Sequence, residues 1–466
     1  MTNIALRPPA LAVAVLVCSL GLAIASPAVA QRSTVVQVPK LKLTDFTLPN
    51  GLRVLMHEDH SSPIVAVDMW YNAGSKFDPK GKTGLAHMFE HMLDEGSLNM
   101  PAGEYKRAVQ QTGGRYNAST ANDFARYYTI VPSNHLETVL WLEAERMANL
   151  TPAAERFSLE REAVKNEYRQ EILNNPEKSA ATALIQALFP EGAYAPPLFG
   201  FPADLASITL DDMRQFYDTY YVPNNAALVI IGDFKTADVR KQVTKHFGAI
   251  RRGKPISFPS AGAPLRGVKR LVTEHPSGIR GVWAAWRGAP SASPDRPALL
   301  ALSSILTQRL RRIFAQDRRV GAMSPYNASF DLAEAGIFQI AMTPNATAPA
   351  TMFEEVMDSV ITSIQTEGVT ESEVRRWVGS YRMQTLTDMQ SVESIASNVG
   401  DATLAQNKPL AVYEMLDRAQ QVTPAQVQAA AKKYLTGDRV IVSIVPTGKL
   451  DLISKPNLPY VIATPK

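Results

Sequence analysis

A chain of 466 residues is too long for a single compact core, so two or more domains are expected. Apolar residues make up 45% and charged residues 20%, which is the balance of a folded protein and excludes a disordered chain. A formal net charge of +4 excludes a strongly basic, nucleic-acid-binding surface, and the local group Arg311, Arg312, Arg318 and Arg319 reads as a solvated helix face.

The first thirty residues read as a signal peptide. Arg7 supplies a positive start, residues 10–25 form the apolar run "ALAVAVLVCSLGLAIA", and Ala28 and Ala30 give the small-x-small pattern of a cleavage site. The run is shorter than the roughly 20 residues that a membrane span needs. Cys18 lies inside it, but Val17 just before is the wrong size for a lipoprotein signal. Cleavage after Ala30 removes Cys18, the only cysteine, so disulfides and cysteine-based metal or nucleophile chemistry are excluded from the mature chain.

Next come paired strands over residues 41–75, first "FTLPNGLRVLMHED" with its Pro-Asn-Gly turn and then the apolar run "PIVAVDMWYNAG". Residues 83–95 read as a helix stopped by Gly96, and "YNASTANDFARYYTIVP" reads as strands again. Helices are expected from Asn134 to Leu150, from about Ser158 to Leu173, and over "SITLDDMRQFYDTYY"; "AALVIIGDF" is a buried strand. Residues 248–267, rich in Gly, Pro and basic residues, read as a linker. Beyond it the order repeats: strand "GVWAAWRGAP", helix 296–316, strand "AGIFQIAMTP", helices 350–366 and 370–388, then helix and strand in "TPAQVQAAAKKYLTGDRVIVSIVP". The expected class is therefore α+β, with two homologous domains of mixed sheet flanked by helices, at 41–247 and 268–455, hinged at the linker.

The stretch "GLAHMFEHMLDEGS" carries the chemistry. His87, Glu90 and His91 stand at i, i+3 and i+4, so one helix face presents all three. Two imidazoles at that spacing can hold one zinc ion, with the carboxylate beside them acting on water, and the order H-x-x-E-H is that of the inverted zincins. A third ligand is needed. His57, His60, His135, His246 and His275 are scattered, and the strongest candidate lies in "SLEREAVKNEYRQE", where Glu160 and Glu167 share a face with Ala163 and Val164. Carboxylates on a face that buries Ala and Val need a neutralising partner, and a metal with its histidines supplies one.

On these residues the chain resembles the pitrilysin, insulysin and mitochondrial processing peptidase family of zinc metallopeptidases. "MWYNAGSKFDPKGKTGLAHMFEHMLDEGS", "GGRYNASTANDFARYY", "EREAVKNEYRQE" (which places Glu167 76 residues after His91, as is usual in the family) and "FYDTYYVPNNAALVIIGDF" carry the resemblance, which covers most of residues 41–455. It implies His87, His91 and Glu167 as ligands of one Zn2+ per chain, Glu90 as general base and Glu160 as support behind the ligands. It also implies Asn117 and Ala118 on an edge strand that pairs with an extended peptide; taken alone, the two read equally well as plain sheet.

The second half lacks H-x-x-E-H in its equivalent helix, as the resemblance implies. Active members also use an arginine and a tyrosine seven apart around a glycine to stabilise charge on the substrate carbonyl. Aligned on Gly321, "AQDRRVGAMSPYNAS" puts Asp317 and Ser324 at those positions, so the pair is missing. Arg319 and Tyr326 are also seven apart, with the glycine two residues out of place. The first alignment makes this the zinc-bearing subunit beside a homologous zinc-free chain that carries the pair; the second makes a self-sufficient homodimer. The expected function is an exported zinc endopeptidase, located in the periplasm or released, that cleaves peptides or unfolded segments. A non-catalytic structural subunit is the other reading, and the intact ligand set and Glu90 weigh against it.

Overall fold

The computed structural model describes residues 38–151, 153–315, 326–343 and 349–463, with residues 326–331 as backbone. The expected signal peptide lies outside these residues, as do Asp317, Arg318, Arg319, Gly321 and Ser324.

Two six-stranded mixed sheets organise the chain. The first is built from β1 (Thr44–Thr47), β2 (Arg53–Glu58), β3 (Ile64–Tyr71), β4 (Arg115–Thr120), β5 (Ala125–Pro132) and β6 (Ala226–Gly232) in the order β1-β2-β6-β3-β5-β4. The second is built from β7 (Val268–His275), β8 (Gly281–Gly288), β9 (Tyr326–Asp331), β10 (Gly336–Met342), β11 (Arg439–Pro446) and β12 (Val461–Ile462) in the order β12-β7-β11-β8-β10-β9. β2 runs parallel to β6 and β7 parallel to β11, each after a long helical crossover. The repeated element order of the sequence is thus a repeated topology, except that the outer strand β1 is antiparallel to its neighbour and β12 parallel.

β3 shows why the strand pattern reads as it does. Val65, Val67, Met69 and Tyr71 face one core, with helices Leu85–Met92, Leu136–Asn149 and Leu210–Tyr220. Ala66 and Trp70 face a second core, closed by Ile395, Ala396 and Val399 of helix Val392–Gln406. With both faces buried, the strand is a continuous apolar run rather than an alternating one. Gly400 lets that helix press on the indole: a β-carbon there would stand 2.1 Å from Trp70 Nε1. The second sheet is covered on one face by helices Arg296–Ala315, Ala350–Glu367 and Pro424–Tyr434, and on the other by helix Pro176–Leu188 through Ala180, Leu184 and Leu188. Each sheet is therefore completed by a helix from the opposite half of the sequence.

Several expected elements differ in extent. The helix expected over 83–95 spans Leu85–Met92, because Gly84 enters it at φ 86° and the chain turns after Leu93. The helix expected from Ser158 begins at Ala154 and ends at Tyr168, continuing as one wide turn over Arg169–Leu173. Ala163, expected on a buried face with Val164, is exposed; Phe157, Val164 and Tyr168 form the buried stripe. Residues 251–266 form neither helix nor strand. They are strapped down, since Arg287 donates to the carbonyls of Ala261, Gly262 and Ala263 at 2.9–3.1 Å, and Asn224 Oδ1 accepts from Gly253 N at 2.7 Å.

Candidate metal centre

The helix Leu85–Met92 buries Leu85, Ala86, Met88, Phe89 and Met92 in the core, and its other face carries His87, itself buried, with the half-buried Glu90 and His91. Its start is fixed from outside. Asp78, buried in the preceding loop, accepts the backbone N–H groups of Gly84 (2.7 Å) and Ala86 (2.8 Å), two of the donors that a helix N-terminus leaves free. Burial pushes the Asp78 carboxyl up to about 8 against the pull of those hydrogen bonds. Gly84 also sits close against a loop: a β-carbon would stand 2.9 Å from Gly200 Cα and 3.0 Å from the Phe199 carbonyl oxygen. That loop brings the Phe199 ring edge-on to His87, with 4.9 Å between ring centres.

Helix Ala154–Tyr168 delivers Glu160 and Glu167 across from the histidines. Glu167 Oε2 lies 3.6 Å from His87 Nε2 and 3.3 Å from His91 Nε2. On the far side of the ring, His91 Nδ1 lies 3.2 Å from Glu160 Oε2. Two donor atoms about 2.0–2.1 Å from one zinc ion at the tetrahedral angle stand roughly 3.3–3.4 Å apart, so these separations fit a zinc ion with a fourth position left over. His87, His91 and Glu167, with donor atoms within 4.8 Å of one another, are the one such group of three among the described residues.

The electrostatics favour the metal-binding forms of His87 and Glu167. Burial and the neighbouring His91 hold His87 down to about 4 against the pull of Glu167, so its imidazole is neutral at neutral pH. The hydrogen bond from His91 lowers Glu167 in spite of burial, which keeps it a carboxylate. For His91 burial works against the charged form, but Glu167, Glu90 and Glu160 outweigh it and raise its pKa. Glu90 is raised, chiefly by burial, against lowering influences from Thr120 and His91.

Thr120 ends β4, the outermost strand of the first sheet, which among the described residues pairs with β5 alone. Ala118 and Thr120 are half-buried, whereas Asn117 is on the exposed face. The Ala118 N–H donates to Asn117 Oδ1 at 2.9 Å rather than to β5, so Ala118 turns its backbone N–H to the open edge. Thus His87, Glu90, His91, Glu160 and Glu167 come together, with Asn117 and Ala118 on the neighbouring edge. Arg319 lies outside the described residues, and Tyr326 opens β9, the matching edge of the second sheet, as backbone only. Sequence reading missed Asp78, Thr120 and Phe199. "FDPKGKTG" held a signal for the first, an acidic residue six before the glycine that opens the helix; nothing local marked the others.

A helix-borne histidine pair and a carboxylate from a second helix thus stand within reach of one metal ion, with the open edge of β4 beside them. Residues 53–200 match the insulinase family, peptidase family M16, and residues 207–379 match the inactive domain of M16 peptidases. The chain belongs to this family of zinc metallopeptidases. It is 26% identical to the zinc protease PqqE of Helicobacter pylori over 77% of this chain and 83% of that protein. Its fold matches the crystal structure of a protease from Helicobacter pylori with a TM-score of 0.82 at 23% identity, over 87% of this chain and all of that one. It also matches the first half of the periplasmic protease PqqL from Escherichia coli, with a TM-score of 0.74 at 16% identity, over 90% of this chain and 96% of that one.

Proposed function

We propose that this chain is an exported zinc endopeptidase that hydrolyses peptides or unfolded segments, with one zinc ion held by His87, His91 and Glu167. The observation that carries the reading is that Glu167 Oε2, from a second helix, lies 3.6 and 3.3 Å from the Nε2 atoms of His87 and His91, whose own helix also bears Glu90. When bound, zinc supplies Lewis-acid polarisation of a peptide carbonyl and makes water more acidic. Glu90, half-buried with a raised pKa, takes the proton of the attacking water and returns it to the leaving amine. Glu160 orients the His91 ring through Nδ1, the usual duty of a carboxylate behind a metal-bound histidine. The open edge at Ala118 holds an extended substrate by strand addition, with Asn117 beside it.

In this reading residues 41–247 form the peptidase domain and residues 268–455 an inactive counterpart, with 248–267 between them. A homologous zinc-free chain supplies the arginine and tyrosine that stabilise the substrate carbonyl. A self-sufficient homodimer using Arg319 and Tyr326 is the second reading, favoured by the seven-residue spacing of that pair. The signal-like residues 1–30 and the resemblance to a protein described as periplasmic support a periplasmic location. No helix among the described residues is long and apolar enough to cross a membrane.

The test is cleavage of a mixed peptide pool by the purified chain with added zinc, with and without a chelator. Chelator-sensitive cleavage by the chain alone supports the homodimer, and Arg319→Ala with Tyr326→Phe then abolishes it. No cleavage with zinc retained points to the partner chain, which co-purification from the source cell identifies. No cleavage and no zinc overturns the peptidase reading in favour of a structural subunit.

A further inference from the structure

The turn after β4 is pinned from two sides. The Ala121 N–H donates to the Phe124 carbonyl at 2.8 Å and closes the turn into β5. On one side lies the loop that leads into the metal-binding helix: the Ser75 N–H donates to the Ala121 carbonyl and the Lys76 N–H to the Asn122 carbonyl, both at 3.0 Å. Gly74 permits that approach, because a β-carbon there would stand 2.4 Å from the Asn122 oxygen. On the other side lies the turn after β9, whose Ala333 N–H donates to Asp123 Oδ2 at 2.9 Å. The outer strands of the two sheets, ending at Thr120 and Asp331, therefore run into one joint.

Asp123 is the centre of that joint. Its Oδ1 accepts from Lys76 Nζ at 2.7 Å and from the Tyr194 hydroxyl at 3.0 Å, and the Tyr194 oxygen accepts in turn from the Glu334 N–H at 3.0 Å. Lys76 is buried, its ammonium 5.2 Å from the Phe77 ring centre and 5.1 Å from that of Phe258, and Asp123 balances its charge. Both Asp123 oxygens are engaged and its side chain is 14% exposed, so it acts by holding its neighbours. Two of those neighbours bear on the site. β4 carries the open edge at Ala118 and, at Thr120, a contact with Glu90. Lys76 stands just before Asp78, which accepts the first N–H groups of the helix bearing His87.

We infer that Asp123 is a positioning residue for peptide hydrolysis: by joining the turn after β4 to the turn after β9 and to the loop before the metal-binding helix, it holds the substrate-pairing edge in place against Glu90 and the metal ligands. The inference rests on the peptidase reading above. A carboxylate facing donors at both oxygens admits no amide in its place. In Asp123→Asn one oxygen becomes an NH2 group, which then faces either the Ala333 N–H or the Lys76 ammonium, donor against donor. The joint opens on that side while the side chain keeps its shape.

The test is steady-state cleavage of an extended peptide by the mature chain (with its partner, if one is needed), with zinc content and folded fraction measured on the same samples. Asp123→Asn is expected to lower kcat/KM by roughly 10- to 100-fold with a raised KM, at wild-type zinc content, because a displaced edge misaligns the bound peptide. Asp123→Glu, which keeps both acceptor oxygens, recovers part of that loss. Tyr194→Phe removes the hydroxyl between Asp123 and the Glu334 N–H but keeps the ring; it is expected to raise KM less, and keeps the inference testable if Asp123→Asn folds poorly. A merely structural role would lower the folded fraction, and apparent kcat with it, at unchanged KM. That result, or wild-type kcat/KM in both Asp123→Asn and Tyr194→Phe, overturns the inference and leaves the peptidase reading standing. Absence of cleavage by the wild type, together with absence of peptide binding by Glu90→Gln, overturns both.

Discussion

Gly84→Ala measures how tightly the helix bearing His87 and His91 is seated. Gly84 sits at φ 86°, where a residue with a β-carbon loses roughly 1–2 kcal/mol. The added carbon would also stand 2.7 Å from Leu205 Cδ2, 2.9 Å from Gly200 Cα and 3.0 Å from the Phe199 oxygen. Leu205 can rotate, but the two backbone contacts cannot give cheaply, and overpacking of that kind costs about 1–3 kcal/mol. The expected loss is therefore roughly 2–5 kcal/mol. Gly81 provides the control, because its φ of 79° is similar and a β-carbon there meets nothing within 4 Å. Gly81→Ala should cost only the conformational part, roughly 1–2 kcal/mol. Urea unfolding followed by far-UV circular dichroism gives both values, with unchanged slopes confirming that stability alone has moved. Gly84→Ala should also weaken zinc binding, since displacing its start moves His87. Equal losses for the two variants would refute the claim that close packing against the 199–200 loop fixes this helix.

Three further outcomes follow from the same geometry. Glu160→Gln should weaken zinc affinity by roughly 10- to 100-fold in a chelator competition, because His91 Nδ1 loses its carboxylate partner. Gly400→Ala should destabilise the chain by about 1–3 kcal/mol in thermal unfolding, by forcing helix Val392–Gln406 off the Trp70 indole. Glu354 is opposed by burial, but Arg270, Ser454 and Lys455 outweigh it and hold it down to about 2 from an ordinary 4.5. A depressed carboxyl contributes stability fully above pH 4.5 and loses it as pH falls toward 2, so Glu354→Gln should flatten the acid limb of the stability profile in that window.

Local patterns made much of the fold legible. The Pro-Asn-Gly turn between β1 and β2, the unbroken apolar run of β3 and the helices read at 296–316, 350–366 and 370–388 lie where their residues say, because turn chemistry and burial act within a few positions, whereas helix Val392–Gln406 was not read. The helix presenting His87, Glu90 and His91 on one face was readable from 3.6-residue periodicity alone. Pairing across long separations was not. Nothing in "PEKSAATALIQAL" says that its apolar stripe covers the second sheet rather than the first, nor that helix 392–406 does the reverse. Asp78 escaped notice because it caps a helix from six residues upstream instead of from the position next to it, and Phe199 because its contact with His87 spans more than a hundred residues. Ala163 was placed on the wrong face because the helix buries the stripe of Phe157, Val164 and Tyr168, which the two glutamates flank rather than share.

The most direct measurement is zinc content and peptide turnover, taken side by side on wild type, Glu90→Gln and His87→Ala. One zinc per chain in the first two, turnover only in the wild type, and neither zinc nor turnover in His87→Ala is the predicted pattern. Undiminished turnover by Glu90→Gln, or full zinc retention by His87→Ala, would contradict the roles assigned to these residues.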